Sequence, residues 1–173
     1  MTERPNKGAA HKPRHLSEEG LARIRDALRS LPRDHFIEMS EPSIVIGRSI
    51  PPTNAVSEIL EHADVQPGHR VLQVGTGAGY LAALLSKLAS QVVTMEMNPA
   101  IARCAMERFN KLGLANLVLR QQDGTDGAPD LGPFDRIFVS SPRILRKAAL
   151  MEQLAPEGVL IALEQGENET LLL

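Results

Sequence analysis

Between residues 70 and 163 the chain alternates short apolar segments with longer segments of helical periodicity. This alternation is typical of strands that pair in parallel and of connecting helices that cover both faces of the sheet. The predicted strands span residues 70–74, 91–96, 117–120, 134–139 and 158–163. The pattern therefore predicts a doubly wound, mostly parallel α/β sheet whose strands all end at the same edge.

Helical patterns connect these strands. The first buries a row of leucines after the first strand, at Leu81, Leu84, Leu85 and Leu88. The second should begin at Asn98 and Pro99, which suit an N-cap and a first turn, and should stop at Gly113. Its predicted inner face consists of Ile101, Ala105, Phe109 and Leu112. A third helix is predicted over residues 143–154.

The region before the sheet predicts a helical cap over residues 16–66, ahead of an α/β core over residues 67–173. Its first helix should begin after Ser17 and end at Pro32, and residues 33–52 are expected to be irregular. A second helix is predicted from Thr53 or Asn54, with a buried face of Val56, Ile59, Leu60 and Ala63.

Both ends of the chain carry separate expectations. Residues 1–15 are polar and basic, which predicts a mobile tail, with a phosphate- or RNA-binding arm as the alternative. Residues 169–173 begin another strand-like segment and end on three leucines, so we expect a domain cut from a longer protein, with an edge strand missing. An open sheet edge can pair with another chain, which leaves a homodimer or further domains as candidate partners.

Composition excludes several functional classes. The 19 basic and 21 acidic residues give a formal net charge of −2, which provides no overall attraction to phosphate. Aromatic residues make up only 3% of the chain, too few for a base-stacking platform, so no nucleic-acid partner is expected. No apolar segment approaches the ~20 residues of a membrane-spanning helix, so no membrane partner is expected either.

Cysteine and histidine usage points to no metal chemistry. Cys104 is the only cysteine, which indicates a reducing, cytoplasmic setting and an apolar packing role on a helix. None of the five histidines has the spacing of a metal-ligand set or a catalytic triad, so no metal is expected.

The most informative segment is the sequence VLQVGTGAGY at residues 71–80. It predicts a buried strand, a glycine-rich turn and a helix whose first N–H groups face a ligand. Dinucleotide-binding turns follow GxGxxG, whereas this turn follows GxGxG and has Tyr80 at the position of the last dinucleotide glycine. The spacing favours S-adenosyl-L-methionine, which has no pyrophosphate; a tight turn without a ligand is the alternative. The candidate cofactor-binding residues here are Gly75, Thr76, Gly77 and Gly79.

Further candidate groups follow the second and third strands at the same edge. Glu96, which precedes Met97, lies about twenty residues after the loop, where an acidic side chain can bind both hydroxyls of a ribose. Asp123 can accept a hydrogen bond from an adenine amino group, and Gly124 lets the ring approach closely. A solvated carboxylate at Glu96 and an ordinary Asp-Gly turn are the alternatives.

Several segments resemble class I S-adenosylmethionine-dependent methyltransferases, a Rossmann-like family: residues 71–80, 93–97, 120–124, 133–139 and 154–161. Two upstream segments are similar to the protein-L-isoaspartate O-methyltransferases in particular. Residues 31–37, LPRDHFI, resemble that family's Pro-Arg-x-x-Phe segment, and residues 46–50, IGRSI, resemble its Ile-Gly-x-Thr-Ile segment.

The resemblance implies a protein-repair methyltransferase that uses S-adenosyl-L-methionine and acts on isoaspartyl-containing proteins or peptides. It implies that Ser49 and Ile50 contact the methionine end of this cofactor. The acceptor would be the isoaspartyl carboxylate, which needs no general base because a carboxyl group with a pKa of ~4 is already ionised at neutral pH. Positioning and desolvation of that carboxylate would provide the rate enhancement.

The sequence departs from the family on the acceptor side. Pro51 occupies the position of a serine whose hydroxyl the resemblance places at the methyl-acceptor site, so no catalytic residue is identified. Residues 140–143, SSPR, replace an alanine-rich turn. Two alternatives therefore stay open: an inactive cofactor-binding or regulatory domain, and a tRNA adenine methyltransferase. The latter would need more basic surface than Arg143, Arg146 and Lys147 provide.

Overall fold

The structure is a computed structural model that describes residues 16–38, 50–140, 146–163 and 170–172. The expectations for the tail at residues 1–15, for Ser49 and for Arg143 lie outside these residues. Within them, no helix combines the length and the apolar composition needed to cross a membrane.

A six-stranded sheet forms the centre of the fold, in the order β3-β2-β1-β4-β5-β6. The strands are β1 (Arg70–Val74), β2 (Gln91–Met95), β3 (Leu117–Arg120), β4 (Phe134–Val139), β5 (Leu154–Leu163) and β6 (Thr170–Leu172). Neighbours from β3 to β5 pair in parallel, and β6 pairs antiparallel with β5. The predicted α/β class and its mostly parallel sheet are confirmed, and the strand-like segment near the end of the sequence forms β6.

The helices are α1 (Glu18–Ser30), α2 (Arg33–Glu38), α3 (Thr53–Ala63), α4 (Tyr80–Leu88), α5 (Pro99–Lys111) and α6 (Lys147–Met151). Their starts follow the caps in the sequence. Ser17 accepts a hydrogen bond from the Gly20 N–H, and Asn98 accepts from the N–H groups of Ala100 and Ile101. The predicted starts of α1, α3 and α5 are thus confirmed, as is the end of α5 before Gly113, whose φ is 63°.

Both faces of the sheet are covered. Val71 of β1 lies in a cluster with buried residues of α1, α3, α4 and α5, whereas its neighbour Leu72 lies in a cluster with Leu150 of α6. Adjacent strand residues point to opposite faces, so an apolar strand buried on both sides needs helices on both sides. Since α1 and α3 share one core with α4, the division into a cap and a sheet core at residues 66 and 67 stays a prediction.

Tertiary contacts change several predicted details. The segment expected to be irregular after Pro32 contains α2, because Phe36 is buried in the core and the Arg33 side chain binds the carbonyls of Ile50 and Pro51. Proline also suits the position before a helix.

Four further predicted boundaries or faces are wrong, the first being the start of the fifth strand, which lies at Leu154 and not at residue 158. Within the described residues the last helix covers Lys147–Met151 and stops before residue 154, because the chain turns at Gln153 and Leu154 already pairs with Phe134. The second strand ends at Met95. Leu112 is 39% exposed, because it is the C-cap of α5, where the buried helical face ends.

A polar cluster closes the amino-terminal end of the sheet. The Gln66 N–H donates to Nδ1 of His69, and the Arg70 N–H donates to Asp135. Burial lowers the pKa of His69, and nearby Arg136 lowers it further, more than the carboxylate of Asp135 raises it. His69 is therefore neutral in the folded protein at neutral pH.

We expect His69 to lower the stability of the folded protein at mildly acidic pH. The unfolded state takes up a proton near pH 6.5, whereas the folded state resists it until a lower pH, so the free energy of unfolding falls as pH drops below about 6.5. His69→Asn keeps an acceptor but does not titrate. Urea unfolding between about pH 5 and 8, on either side of the ordinary histidine pKa, measures this effect. As the pH falls, the free energy of unfolding should decrease less for His69→Asn than for the wild type. Equal slopes for the two proteins would contradict this assignment.

Candidate active site at the carboxyl edge of the sheet

The carboxyl ends of three central strands meet in register. Val74 pairs with Met95 of β2 and with Val139 of β4. The next residues, Gly75, Glu96 and Ser140, therefore stand side by side at one edge. This is the edge at which open α/β sheets bind ligands, and β1 and β4 flank the point where the strand order reverses.

A glycine loop connects β1 to α4. The φ values of its three glycines are all positive: 92° at Gly75, 53° at Gly77 and 86° at Gly79. Residues other than glycine rarely adopt such values. The loop turns sharply and brings the first turn of α4 to the edge of the sheet. The predicted strand–glycine loop–helix arrangement is thus present.

Packing gives a second reason for glycine at position 79. A Cβ at this position would lie 2.7 Å from Cε1 of Phe109 on α5. The third glycine of the loop is therefore explained by close packing of α5, before any ligand is considered.

Glu96 faces the glycine loop. Its side chain is 9% exposed, and Oε2 accepts a hydrogen bond from the Gly77 N–H at 3.1 Å. Oε1 accepts from the Asn98 N–H at 3.0 Å. A carboxylate offers about four lone-pair sites, so these two bonds fix its orientation and leave capacity for further donors.

A buried polar network, which sequence reasoning missed, supports the loop from below. The Gln73 side chain donates to the Gly75 carbonyl at 3.0 Å and accepts from the Thr94 hydroxyl at 3.3 Å. The hydroxyls of Thr94 and Thr76 lie 2.7 Å apart. Polar residues inside otherwise apolar strands were the available signal, because buried polar groups need partners. The Thr76 side chain is thus committed to the scaffold.

Arg108 is another residue that sequence reasoning missed. Its side chain is 2% exposed, and Nη1 donates to the Ala78 carbonyl of the glycine loop at 2.6 Å. Burial lowers the pKa of its guanidinium. A basic residue seven positions after Ile101, on the predicted inner face of the helix, was the signal.

The segment after β3 forms a turn. Oδ1 of Asp123 accepts from the N–H and the hydroxyl of Thr125, at 2.9 and 2.6 Å. A Cβ on Gly124 would lie 2.5 Å from Cγ1 of Val74, so only glycine fits against the end of β1. The Asp-Gly turn is therefore present, and an adenine contact by Asp123 stays a prediction.

The upstream segment packs against the start of α4. Arg33 donates to the carbonyls of Ile50 and Pro51 at 2.7 and 2.9 Å. The ring of Phe36 lies 5.1 Å from that of Tyr80, which directly follows the glycine loop. Burial raises the pKa of Tyr80, and a hydrogen bond with Thr53 opposes this. Arg33 thus binds Ile50 while Phe36, on the same helix, packs beside the start of α4, and a contact of Ile50 with the cofactor stays a prediction.

The remaining candidates lie at the rim or have no site around them. Met97 is 58% exposed beside Glu96 and offers an apolar surface at the ligand edge. Cys104 is half-buried on α5. Within the described part of the chain, no group of His, Cys, Asp and Glu side chains could hold a metal ion. The assignment of Met97 to the cofactor site stays a prediction.

The sheet order, the glycine loop after β1 and the acidic residue after β2 define the class: a class I S-adenosylmethionine-dependent methyltransferase fold. The chain belongs to the protein-L-isoaspartate O-methyltransferase family, because the family model for protein-L-isoaspartate(D-aspartate) O-methyltransferase matches residues 14–172. The predicted family is thereby confirmed.

Similar proteins agree with this membership. The protein-L-isoaspartate O-methyltransferase of Roseiflexus sp. (strain RS-1) is 36% identical over 160 residues, which cover 87% of this chain and 73% of that protein. A solved protein-L-isoaspartate O-methyltransferase aligns with a TM-score of 0.68 at 25% identity, over 85% of this chain and 50% of that one. The chain thus spans about half the length of that solved relative.

A second solved structure shares the fold over most of both chains. It is a putative protein-L-isoaspartate O-methyltransferase from Plasmodium falciparum in complex with S-adenosyl-L-homocysteine, with a TM-score of 0.58 and 18% identity. It covers 88% of this chain, and this chain covers 87% of it.

The packing role of Gly79 can be separated from its backbone role. Gly113 also has a positive φ, yet a Cβ there would meet no atom within 4 Å. Gly113→Ala should cost about 1 kcal/mol of unfolding free energy from backbone strain alone. Gly79→Ala should cost about 2–4 kcal/mol, because Phe109 must also move. Urea unfolding of both variants measures the difference, and equal losses would exclude the packing role.

Proposed function

We propose that this chain is an S-adenosyl-L-methionine-dependent methyltransferase that acts on the carboxylate of isoaspartyl residues in proteins or peptides. Membership of the protein-L-isoaspartate O-methyltransferase family over residues 14–172 is the observation that carries this proposal. The loop geometry supports it, because the glycine loop and Glu96 form one hydrogen-bonded unit.

The residues present fit the cofactor. The three loop glycines, whose φ values are positive, place no side chain at the ligand edge. Gly124 likewise has no Cβ, which would lie against Val74. The Glu96 carboxylate keeps acceptor capacity beyond its bonds to Gly77 and Asn98. The residues that would hold the cofactor are Gly75, Gly77, Glu96, Met97, Gly124 and Ile50, whereas the hydroxyl and backbone groups of Thr76 are already hydrogen-bonded within the scaffold.

When bound, S-adenosyl-L-methionine would supply an electrophilic sulfonium methyl group for transfer to a carboxylate oxygen, with the electrons of the broken carbon–sulfur bond left on sulfur. The chain's own contribution is to bind, to orient and to exclude water. No proton moves in this reaction, since the carboxylate is already ionised at neutral pH. Orientation of the two reactants is the step that lowers the barrier.

The alternative functions have less support. Arg146, part of the small basic face, is paired with Asp126 at 3.3 Å, which weakens the case for a tRNA substrate. The hypothesis of an inactive domain was based on the missing hydroxyl at Pro51. The family match, by contrast, extends over almost the whole chain. Protein repair in the cytoplasm belongs to the proposal, as does a homodimer or association with further domains.

Methyl transfer to a defined peptide tests the function. A peptide with one isoaspartyl residue and its aspartyl isomer are incubated with the protein and with S-adenosyl-L-methionine that carries a labelled methyl group. We expect label in the isoaspartyl peptide alone. No transfer to either peptide, or equal transfer to both, would overturn the proposal.

Glu96 should control cofactor affinity. Glu96→Gln removes the charge and one acceptor oxygen, so one of the two bound N–H groups loses its partner. We expect the Kd for S-adenosyl-L-homocysteine to rise about 10- to 100-fold, as for the loss of a hydrogen bond to a charged group. Calorimetry measures this Kd. Glu107→Gln, at an exposed position on α5, is the matched control and should bind as the wild type does.

A further inference from the structure

Ser140 stands on the opposite side of the glycine loop from Glu96. Its N–H donates to the Val74 carbonyl at 2.8 Å, which extends the pairing of β4 with β1 by one residue. Parallel strands lie about 4.8 Å apart, so the backbones at Glu96 and Ser140 lie about 10 Å from each other, with Gly75 between them. Ser140 is the first residue after β4, and its side chain is half-buried.

The hydrogen bond to Ser140 uses its hydroxyl oxygen as an acceptor and does not use its proton. Nε2 of Gln73 lies 3.4 Å from the Ser140 hydroxyl oxygen and also donates to the Gly75 carbonyl. Because Oε1 of Gln73 accepts from Thr94, the orientation of this amide is fixed, and the Ser140 oxygen must accept. Among the described residues, Gln73 is the partner of this hydroxyl, whose hydrogen can donate to a group above the sheet.

The position matches where a methyl acceptor must arrive. Glu96 would hold the ribose of the cofactor and Gly75 would lie beneath it, so the methyl-donating end would be expected on the β4 side of the loop. The acceptor approaches from beyond that end, within about 3–3.5 Å of the transferred carbon. Ser140, the first residue after β4, offers a hydroxyl donor on this side of the loop.

We propose that Ser140 is a substrate-binding residue whose hydroxyl donates a hydrogen bond to the carboxylate of the methyl acceptor. The inference rests on the proposed function and assigns the acceptor side of the same site. Pro51 has no donor side chain, and its carbonyl is already bound by Arg33. A neutral hydroxyl orients a carboxylate without the full charge of a lysine or arginine, so the attacking oxygen stays nucleophilic.

Binding of the isoaspartyl peptide to the protein saturated with S-adenosyl-L-homocysteine tests the inference without turnover. Ser140→Ala should raise the peptide Kd about 10-fold and lower kcat/KM by a similar factor, as for a lost hydrogen bond to a charged group. The Kd for S-adenosyl-L-homocysteine should not change. Ser140→Thr keeps the hydroxyl and should stay within about 3-fold of the wild type.

Ser90→Ala is the matched control. Ser90 lies at the other end of the sheet, where its hydroxyl donates to the carbonyls of Gly68 and His69, so its removal should leave the peptide Kd unchanged. A wild-type peptide Kd in Ser140→Ala would overturn the inference. A weaker Kd for S-adenosyl-L-homocysteine in Ser140→Ala would also overturn it, because the residue would then act on the loop through Gln73. If wild-type protein neither binds nor methylates the peptide, the proposed function itself fails.

Discussion

The site depends on how the glycine loop is held by the strand beside it. The N–H groups of Gly75 and Thr76 both donate to the Met95 carbonyl, at 3.0 and 3.1 Å, and the Gly77 N–H donates to the Glu96 side chain. Successive amides of the loop thus continue the pairing of β1 with β2 after the strands end. Glu96 therefore has a structural role as well as its proposed role toward a ribose, and its orientation is set before any ligand binds.

Helix α5 also packs against the glycine loop. Arg108 binds the Ala78 carbonyl, and the next residue, Phe109, occupies the space beside Gly79. A buried guanidinium needs hydrogen-bond acceptors, and the Ala78 carbonyl is one of them, so this bond links the loop to the helix. Two adjacent residues of one helix consequently determine the conformation of two adjacent residues of the loop.

The sequence predicted those features that repeat along the chain or that depend on local chemistry. Alternating periodicity predicted the parallel sheet, and Ser17 and Asn98 predicted helix starts, since a cap acts within three residues of itself. The helix at Arg33–Glu38 was not predicted, because the carbonyls that bind the Arg33 side chain lie 17 and 18 residues away in the sequence. Arg108 and Ala78 are 30 residues apart, a pairing that no local pattern contains.

The departure at Pro51 changes the chemistry of the site more than its scaffold. Arg33 binds the carbonyls of Ile50 and Pro51, and the Pro52 carbonyl accepts the first helical hydrogen bond from Val56. These contacts use only carbonyl groups, and proline keeps its carbonyl while losing its N–H. Two consecutive prolines therefore fit this backbone without breaking a hydrogen bond observed in it. A side-chain hydroxyl is what position 51 lacks, and the donor that we propose for the acceptor carboxylate, Ser140, instead follows β4, the neighbour of β1.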